Sequence, residues 1–353
     1  VKRAQVLAYR WSRHGFGASP PDDALLTLGV QDSNVGSAAL ALSARDLSPA
    51  RLVTVWSLRG APHLHRSGDL ERLSPALWPL SDADAWARLG GLGTTLKKAR
   101  RSGLDAVAEA ASAVRAVVTK PTAKGDLSAA VTQRIDGAYA FWCRGCGATH
   151  VHDQLLRLAA FHGGVRNEGA APVMFVPLPG WPGVPSSAAG TDALVTAYLT
   201  VHGPATPGDA GSFLGSTATA VKPAWPDGLA EVVVDGRKTW LPEASLDALT
   251  GAPAAKGVRL LPPSDPYLQM RDRALLVPDA AHRKALWTIL ASPGALVVDG
   301  EVAGTWRAKG KGRLAVTVTP FGPLPAKVRA AIEDEAARVA GVRGATSYEV
   351  AYS

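Results

Sequence analysis

The sharpest constellation for chemistry is Cys143-x-x-Cys146 followed by His150 and His152. Two thiolates with one or two imidazoles make a tetrahedral Zn²⁺ set, so a structural zinc is one expectation and no other cofactor is required. The competing reading is a pair of buried thiols. It draws on the flanking Phe141-Trp142 and on histidines spaced closer than the second half of a zinc finger. A redox pair finds no thioredoxin-like βαβ context.

A second group of candidates is basic. His63 and His65 alternate on a predicted strand and therefore share one face. With Arg59 and Arg66 beside them they suit contact with phosphates, while the alternative is a histidine satisfied inside the core. The run Arg307-Ala308-Lys309-Gly310-Lys311-Gly312-Arg313 puts four cations, Arg307, Lys309, Lys311 and Arg313, on a glycine-rich hairpin tip suited to phosphate neutralisation. Lys97-Lys98-Ala99-Arg100-Arg101 forms a similar patch near a predicted helix C-terminus, where cations also suit the macrodipole. A solvated turn is the plainer reading of either run.

The balance of charge agrees with a polyanionic partner: 38 Lys plus Arg against 30 Asp plus Glu gives +8, and the pI is near 9.6. Arg outnumbers Lys about two to one, a bias that a GC-rich genome also produces. The sequence holds no Walker A loop and no dinucleotide fingerprint in context, so no nucleotide cofactor is expected. The ten tryptophans are scattered, which reads as core anchoring rather than a stacking platform for single strands. Two closely spaced cysteines exclude a disulfide framework. No apolar run reaches the roughly 18 residues of a membrane span. The opening Val1-Lys2-Arg3-Ala4, leading into Tyr9-Arg10-Trp11-Ser12-Arg13-His14, is too polar for a secretory apolar region. A cytoplasmic location follows as an expectation.

The elements that must position these residues fall into four stretches of an α+β chain. Its 353 residues suggest roughly two to four compact units, and 47% hydrophobic content is enough to bury real cores. In 1–80, helices over Ala24–Val30 and Ser37–Arg45 precede strands at Leu52–Gly60 and Ala61–Arg66, the outline of a winged helix. In 81–185, Ser81-Asp82-Ala83-Asp84 starts helical patterning that runs to Val118, and Lys120–Leu127 reads as a helix-turn-helix turn. A helix over Val151–Phe161 follows, then a Pro-Gly linker around Pro177–Pro185. In 190–250, helices lead to the hairpin Glu231–Leu241 with a two-residue Asp-Gly turn. In 255–353, strands around a second Asp-Gly hairpin, Ala295–Arg307, are closed by a helix over Pro325–Ala340. This last stretch reads as a small β-barrel-like unit.

Five motifs in order carry a family resemblance. They are Gln31-Asp32-Ser33; Leu58-Arg59-Gly60-Ala61-Pro62-His63-Leu64; Tyr198-Leu199…His202-Gly203-Pro204-Ala205-Thr206; Leu260-Leu261-Pro262…Asp265-Pro266-Tyr267; and Val298-Asp299-Gly300…Gly304…Trp306-Arg307. Together they resemble the AlkZ/YcaQ family of winged-helix DNA glycosylases over nearly the whole chain. The resemblance implies three tandem winged-helix modules and a β-barrel-like unit folded into a C shape around double-stranded DNA. It also implies a monofunctional glycosylase that removes alkylated purines, in some members from bulky adducts and interstrand crosslinks, and a monomer is expected.

The family's catalytic motif is Gln-x-Gln or Gln-x-Asp; this chain has Gln31 at the first position and Ser33 at the second. Hydrolysis of an N-glycosidic bond builds positive charge on the sugar and needs a placed water. An N7- or N3-alkylated purine is already cationic and leaves readily, so an amide can suffice to hold that water. Ser33 can hold a water but is a poor base. Asp32 would point about 100° away from Gln31 on a regular helix, and could face the site if the backbone turns there. The alternative for Gln31 and Asp32 is helix capping. A rival from another class, a non-catalytic winged-helix DNA-binding protein such as a regulator or lesion sensor, is favoured by Ser33. Tandem modules in one chain argue against a simple regulator, which more often dimerises on a palindrome. Asp265-Pro266-Tyr267 reads as a structural turn.

Overall fold

The computed structural model describes residues 1–169 and 171–353, and the chain is mixed α+β. After α1 (Arg3–Arg13), the first stretch holds α2 (Ala24–Leu28), β1 (Val30–Gln31), α3 (Ser37–Ser43), β2 (Leu52–Trp56), β3 (Pro62–Arg66) and α4 (Leu70–Leu77). The predicted helix over Ala24–Val30 thus ends early. Gly29 takes a positive φ of 79°, which a β-carbon would resist, and the chain leaves it as the short strand that carries Gln31. That strand pairs antiparallel with β3, with Gln31 opposite His63, and β3 pairs in turn with β2.

The second stretch holds α5 (Asp82–Leu89), α6 (Gly91–Lys98), α7 (Gly103–Val117), β4 (Thr122–Ala123), α8 (Lys124–Thr132), β5 (Ala140–Cys143), β6 (Ala148–Val151), α9 (Asp153–His162), β7 (Val165–Glu168) and β8 (Met174–Pro177). The predicted N-cap at Ser81 is present, its side chain accepting from the Asp84 amide at 3.3 Å. The third stretch runs α10 (Thr191–His202), α11 (Pro207–Leu214), α12 (Ala218–Val221), β9 (Leu229–Val234), β10 (Arg237–Pro242) and α13 (Leu246–Thr250). A capping box between Thr206 and Asp209 starts α11. Asp235 and Gly236 both take positive φ, 46° and 84°, as the two-residue hairpin turn demands.

The last stretch holds β11 (Val258–Leu261), α14 (Arg273–Leu276), α15 (Ala280–Leu286), β12 (Gly294–Val298), β13 (Glu301–Lys309), β14 (Arg313–Pro320), α16 (Ala326–Val342) and β15 (Ser347–Tyr352). Its five strands form one sheet in chain order, antiparallel except for the parallel pair β14–β15. Helix α16 covers one face through Ile332, Ala336 and Val339 against Leu260, Leu296 and Val316.

Packing does not follow the four sequence stretches. The first and third share one core, in which Leu25, Leu42 and Val55 meet Tyr198, Leu199 and Phe213. The second has its own core around Leu89, Val107, Leu155 and Phe175. Helix α1 leaves its sequence neighbours. One of its faces, with Leu7 and Trp11, packs on Tyr267 and Met270, and the other, with Val6 and Tyr9, packs on Val232 and Leu241. Such a helix, apolar on two sides, serves as a tie between units.

Two buried ion pairs lock this arrangement. Arg10 of α1 grips Asp272 through both carboxylate oxygens (2.6 and 3.1 Å) and donates to the carbonyls of Gly203 and Pro204. Arg45, just after α3, holds Asp265 in the same bidentate manner at 2.6 and 2.9 Å. Asp265 also accepts from the Tyr267 amide at 2.9 Å, so its role is the structural turn that its sequence context suggests.

Candidate active site and nucleic-acid interface

Gln31 sits at the end of β1, where the strand opens into the loop before α3. Its amide is held at both ends. Its Oε1 accepts from Arg59 at 2.9 Å, and its Nε2 donates to Ser33 Oγ at 2.8 Å. Because a guanidinium can only donate, the contact with Arg59 settles which way round the amide lies. One lone pair of Oε1 is left over. The hydroxyl proton of Ser33 is likewise free, since its oxygen accepts from Gln31.

Asp32 does not join this group. Its Oδ1 accepts from the Ala38 amide at 2.9 Å and from Ser37 Oγ at 3.2 Å, which ties the loop to the first turn of α3, whose N-cap residue is Gly36. The helix on which Gln31 and Asp32 would diverge is absent here; a strand end and a loop occupy the position.

Arg59 is the centre of the site. It lies in a short turn, Leu58–Gly60, and adopts the left-handed φ of 58° and ψ of 20°. That turn aims its side chain across the first unit to α11. There the guanidinium donates to the Phe213 carbonyl and lies 5.1 Å from the Phe213 ring centroid, and it also reaches Gln269 Oε1 at 3.2 Å. No carboxylate approaches it within ion-pair distance among the described residues. Burial first, and the nearby Arg271 second, lower its pKa to about 9, which leaves it charged at neutral pH.

His63 lies opposite Gln31 and is 2% exposed. Its Nδ1 faces the Ala61 carbonyl at 2.9 Å; a carbonyl only accepts, so Nδ1 carries the proton and Nε2 is an acceptor. Burial, with Arg59 and His65 adding to it, keeps this ring neutral, its pKa well below the usual value. Gln31, Arg59, His63, His202 and Gln269 line a cavity of about 10 Å³ together with the apolar side chains of Leu25, Leu28, Val201 and Phe213. That is room for one water and not for a purine.

The other basic candidates scatter. His65 is fully buried, its Nε2 2.9 Å from Ser57 Oγ, and its pKa is lowered to about 4 by burial. It packs against Gly29, where a β-carbon would stand 2.4 Å from the ring. It is therefore a core histidine and reaches no phosphate. Arg66 is neutralised by Asp23 at 2.6 Å and Asp69 at 3.6 Å. Lys309 and Lys311 stand exposed at the β13–β14 tip, whereas Arg313 pairs with Glu349 at 2.6 Å. Arg307 donates to the Ala291 carbonyl at 2.7 Å. It lines, with Arg343, the same groove as Asn34 and Val35 of the loop that follows Gln31, so the basic strand and the Gln31 loop share a surface.

Sequence reasoning missed the cations on the other flank. Arg271 lies 5.9 Å from the Phe213 ring, and Arg271, Arg273, Arg283 and Lys284 line one open groove. Burial lowers the pKa of Arg271 and of Arg273. The doublets Arg271-x-Arg273 and Arg283-Lys284 were the available signal, diluted by the neighbouring Asp272 and Asp279. Cys143, Cys146 and His150 come together at the tip of the β5–β6 hairpin, every ligand atom within 4.8 Å of the others; His152 falls outside this group.

The site is thus an oriented amide at the edge of a cavity of one-water size that no carboxylate lines, flanked by cationic grooves, on a mixed α+β scaffold. The chain belongs to the AlkZ-like DNA glycosylase family, whose model matches residues 33–342. The matched region begins at Ser33, directly after Gln31 and Asp32. Over 185 residues the chain is 33% identical to an interstrand DNA cross-link repair glycosylase of Streptomyces sahachiroi, covering 48% of this chain and 47% of that one. The match therefore spans about half the length of that curated relative. The solved structure of Streptomyces sahachiroi DNA glycosylase AlkZ superposes over 100% of both chains with a TM-score of 0.75 at 22% identity, which shows a shared fold. No helix among the described residues is long and apolar enough to cross a membrane.

Proposed function

We propose that this chain is a DNA-repair glycosylase that hydrolyses the N-glycosidic bond of cationic alkylated purines in duplex DNA. Bulky adducts and interstrand crosslinks are within its substrate range. On this reading the three helix-and-hairpin stretches are winged-helix modules, the five-stranded sheet with α16 is the barrel-like unit, and the protein works as a cytoplasmic monomer.

The observation that carries the proposal is the oriented Gln31 amide at a one-water cavity, gripped by an arginine that has no carboxylate partner. A water in that cavity donates one hydrogen bond to the remaining lone pair of Gln31 Oε1, which directs its oxygen toward C1′ of the damaged nucleotide. The purine leaves with the bond's electron pair as a neutral base, because alkylation had already made it cationic. Water adds to C1′ and releases one proton to solvent, while Ser33 holds the other end of the Gln31 amide. With no carboxylate in the niche, neither an oxocarbenium ion nor a poor leaving group is strongly assisted, so selectivity for self-activated lesions follows from the residues present.

Arg59 and Arg271 would repel a cationic base if left uncompensated. A DNA phosphate flanking the lesion neutralises them, and forked guanidinium donors match its oxygens. The lack of room for a purine fits a lesion read without full flipping, in contrast to enzymes that extrude their target base.

The test is base release from duplexes bearing N7-methylguanine against duplexes bearing a neutral lesion such as uracil. Release of N7-methylguanine alone supports the proposal; release of uracil contradicts it. A second reading, a lesion-binding protein without chemistry, is favoured by the commitment of Asp32 to Ser37 and Ala38 in the first turn of α3. It predicts tight, salt-sensitive binding with no abasic product.

A further inference from the structure

The β5–β6 hairpin lies far in sequence from the Gln31 niche and takes no part in it. It is inserted between α8 and α9, and its strands are four residues each, a length that is marginal for an isolated two-stranded ladder. The register sets Phe141 opposite His150 and Cys143 opposite Ala148. Cys143 and His150 therefore lie diagonally on one face. The chain then turns tightly. The amides of Cys146 and Gly147 donate to the Cys143 carbonyl at 3.3 and 2.9 Å, and Gly147 takes the positive φ of 60° that closes the turn. This folds Cys146 back beside Cys143.

Three soft or borderline donors result, Cys143 Sγ, Cys146 Sγ and a His150 ring nitrogen, all within 4.8 Å of one another. The two thiols are not joined as a disulfide. His150 Nε2 is shielded from solvent and has no hydrogen-bond partner among the described residues, an arrangement with a cost unless something else occupies that nitrogen. No aspartate or glutamate belongs to the cluster, which disfavours Mg²⁺ and Ca²⁺ and suits a thiolate-binding ion.

From this geometry we propose that Cys143, Cys146 and His150 bind one Zn²⁺, with solvent in the fourth position. The exposure of Cys146 leaves that position open to water. The ion clips the open end of the hairpin, which otherwise rests on a short ladder and presents Trp142, 63% exposed, at the surface. This holds whether or not the glycosylase proposal does.

The experiment uses the full chain, purified under reducing conditions, stripped with a chelator and titrated with Zn²⁺ or Co²⁺. The expected result is one equivalent of metal. The cobalt form should show thiolate-to-metal charge-transfer absorption and the intense visible bands of a four-coordinate site. Cys143→Ser and Cys146→Ser should each lose the charge-transfer intensity or the metal altogether, and His150→Ala should weaken binding by 10-fold or more. His152→Ala should keep the metal. Circular dichroism of each variant establishes that it is folded. Absence of stoichiometric metal in the reduced wild type overturns the proposal. So does unchanged binding in folded Cys143→Ser and Cys146→Ser, or loss of metal in His152→Ala with retention in His150→Ala.

Discussion

Replacing Arg59 with Met separates the function of this residue from its contribution to stability. The guanidinium donates to Gln31, Gln269 and the Phe213 carbonyl, and burial beside Arg271 with no carboxylate partner lowers its pKa to about 9. Its hydrogen bonds therefore come at the expense of a desolvated, uncompensated charge. Met keeps the apolar contact with the Phe213 ring and leaves the left-handed backbone at residue 59 no more strained than Arg does. Gln31 and Gln269, both only half-buried, can turn to water. The expected change in folding stability is within about 1 kcal/mol, since the lost hydrogen bonds and the relieved desolvation offset one another. The expected change in catalysis is much larger. A hydrogen bond to a charged group is worth about 1.5–3 kcal/mol, which for a bond that fixes the water-holding amide corresponds to a fall of about 10- to 150-fold in the rate of base release. Single-turnover release of N7-methylguanine, read beside a thermal melt, measures both quantities. A variant that unfolds while its remaining activity follows the folded fraction refutes this reasoning, as does one that retains wild-type rate.

Two further outcomes follow from the same structure. His14, His63, His65, His162 and His202 are buried with lowered pKa values, about 4 for His65 and about 3 for His162. The unfolded rings titrate near 6.5, so the unfolded chain takes up protons that the folded one refuses. Stability is therefore full above pH 6.5 and falls as the pH drops toward 4. His65 and His162 each remove about 2 kcal/mol at pH 5, so acid unfolding begins above the carboxylate range; a urea midpoint flat from pH 7 to 5 contradicts this. At the β13–β14 tip, Lys309→Ala with Lys311→Ala should reduce the slope of log binding constant against log salt by about 2, roughly 0.9 per phosphate contact, while leaving the melting temperature unchanged. An unaltered slope removes this tip from the DNA interface.

Much of the fold was legible because local rules and tertiary packing agree. Asp235-Gly236 and Asp299-Gly300 specify their turns through backbone conformation alone, and Ser81 and Thr206 mark helix starts by their own side chains. What escaped was set by distant partners. Val30 ends an apolar run that reads as helix, yet the pairing of Val30 with Leu64 and of Gln31 with His63 makes a strand there. Strand β15 is mostly exposed, so it has no alternation to betray it and is fixed by its parallel partner β14.

The site divides along the same line. The importance of Gln31 came with the family motif, whereas the orientation of its amide depends on Arg59, 28 residues away. His65 illustrates the reverse error: its spacing from His63 suggests a shared surface, but the close approach of Gly29 seals it into the core. Arg271 and Arg273 were hidden because formal charge in that segment nearly cancels. Only the structure shows that Asp272 is consumed by Arg10, leaving both arginines without an ion-pair partner among the described residues.

The central claim is that the Gln31 amide places the attacking water, and the most direct measurement is single-turnover base release by Gln31→Ala on an N7-methylguanine duplex, with duplex affinity measured alongside. Wild type should yield an abasic site and the variant should lose this by about 100-fold or more, as for removal of a transition-state contact of a few kcal/mol, at unchanged affinity. Wild-type rates in Gln31→Ala, or tight binding by the wild type with no base released, would contradict it.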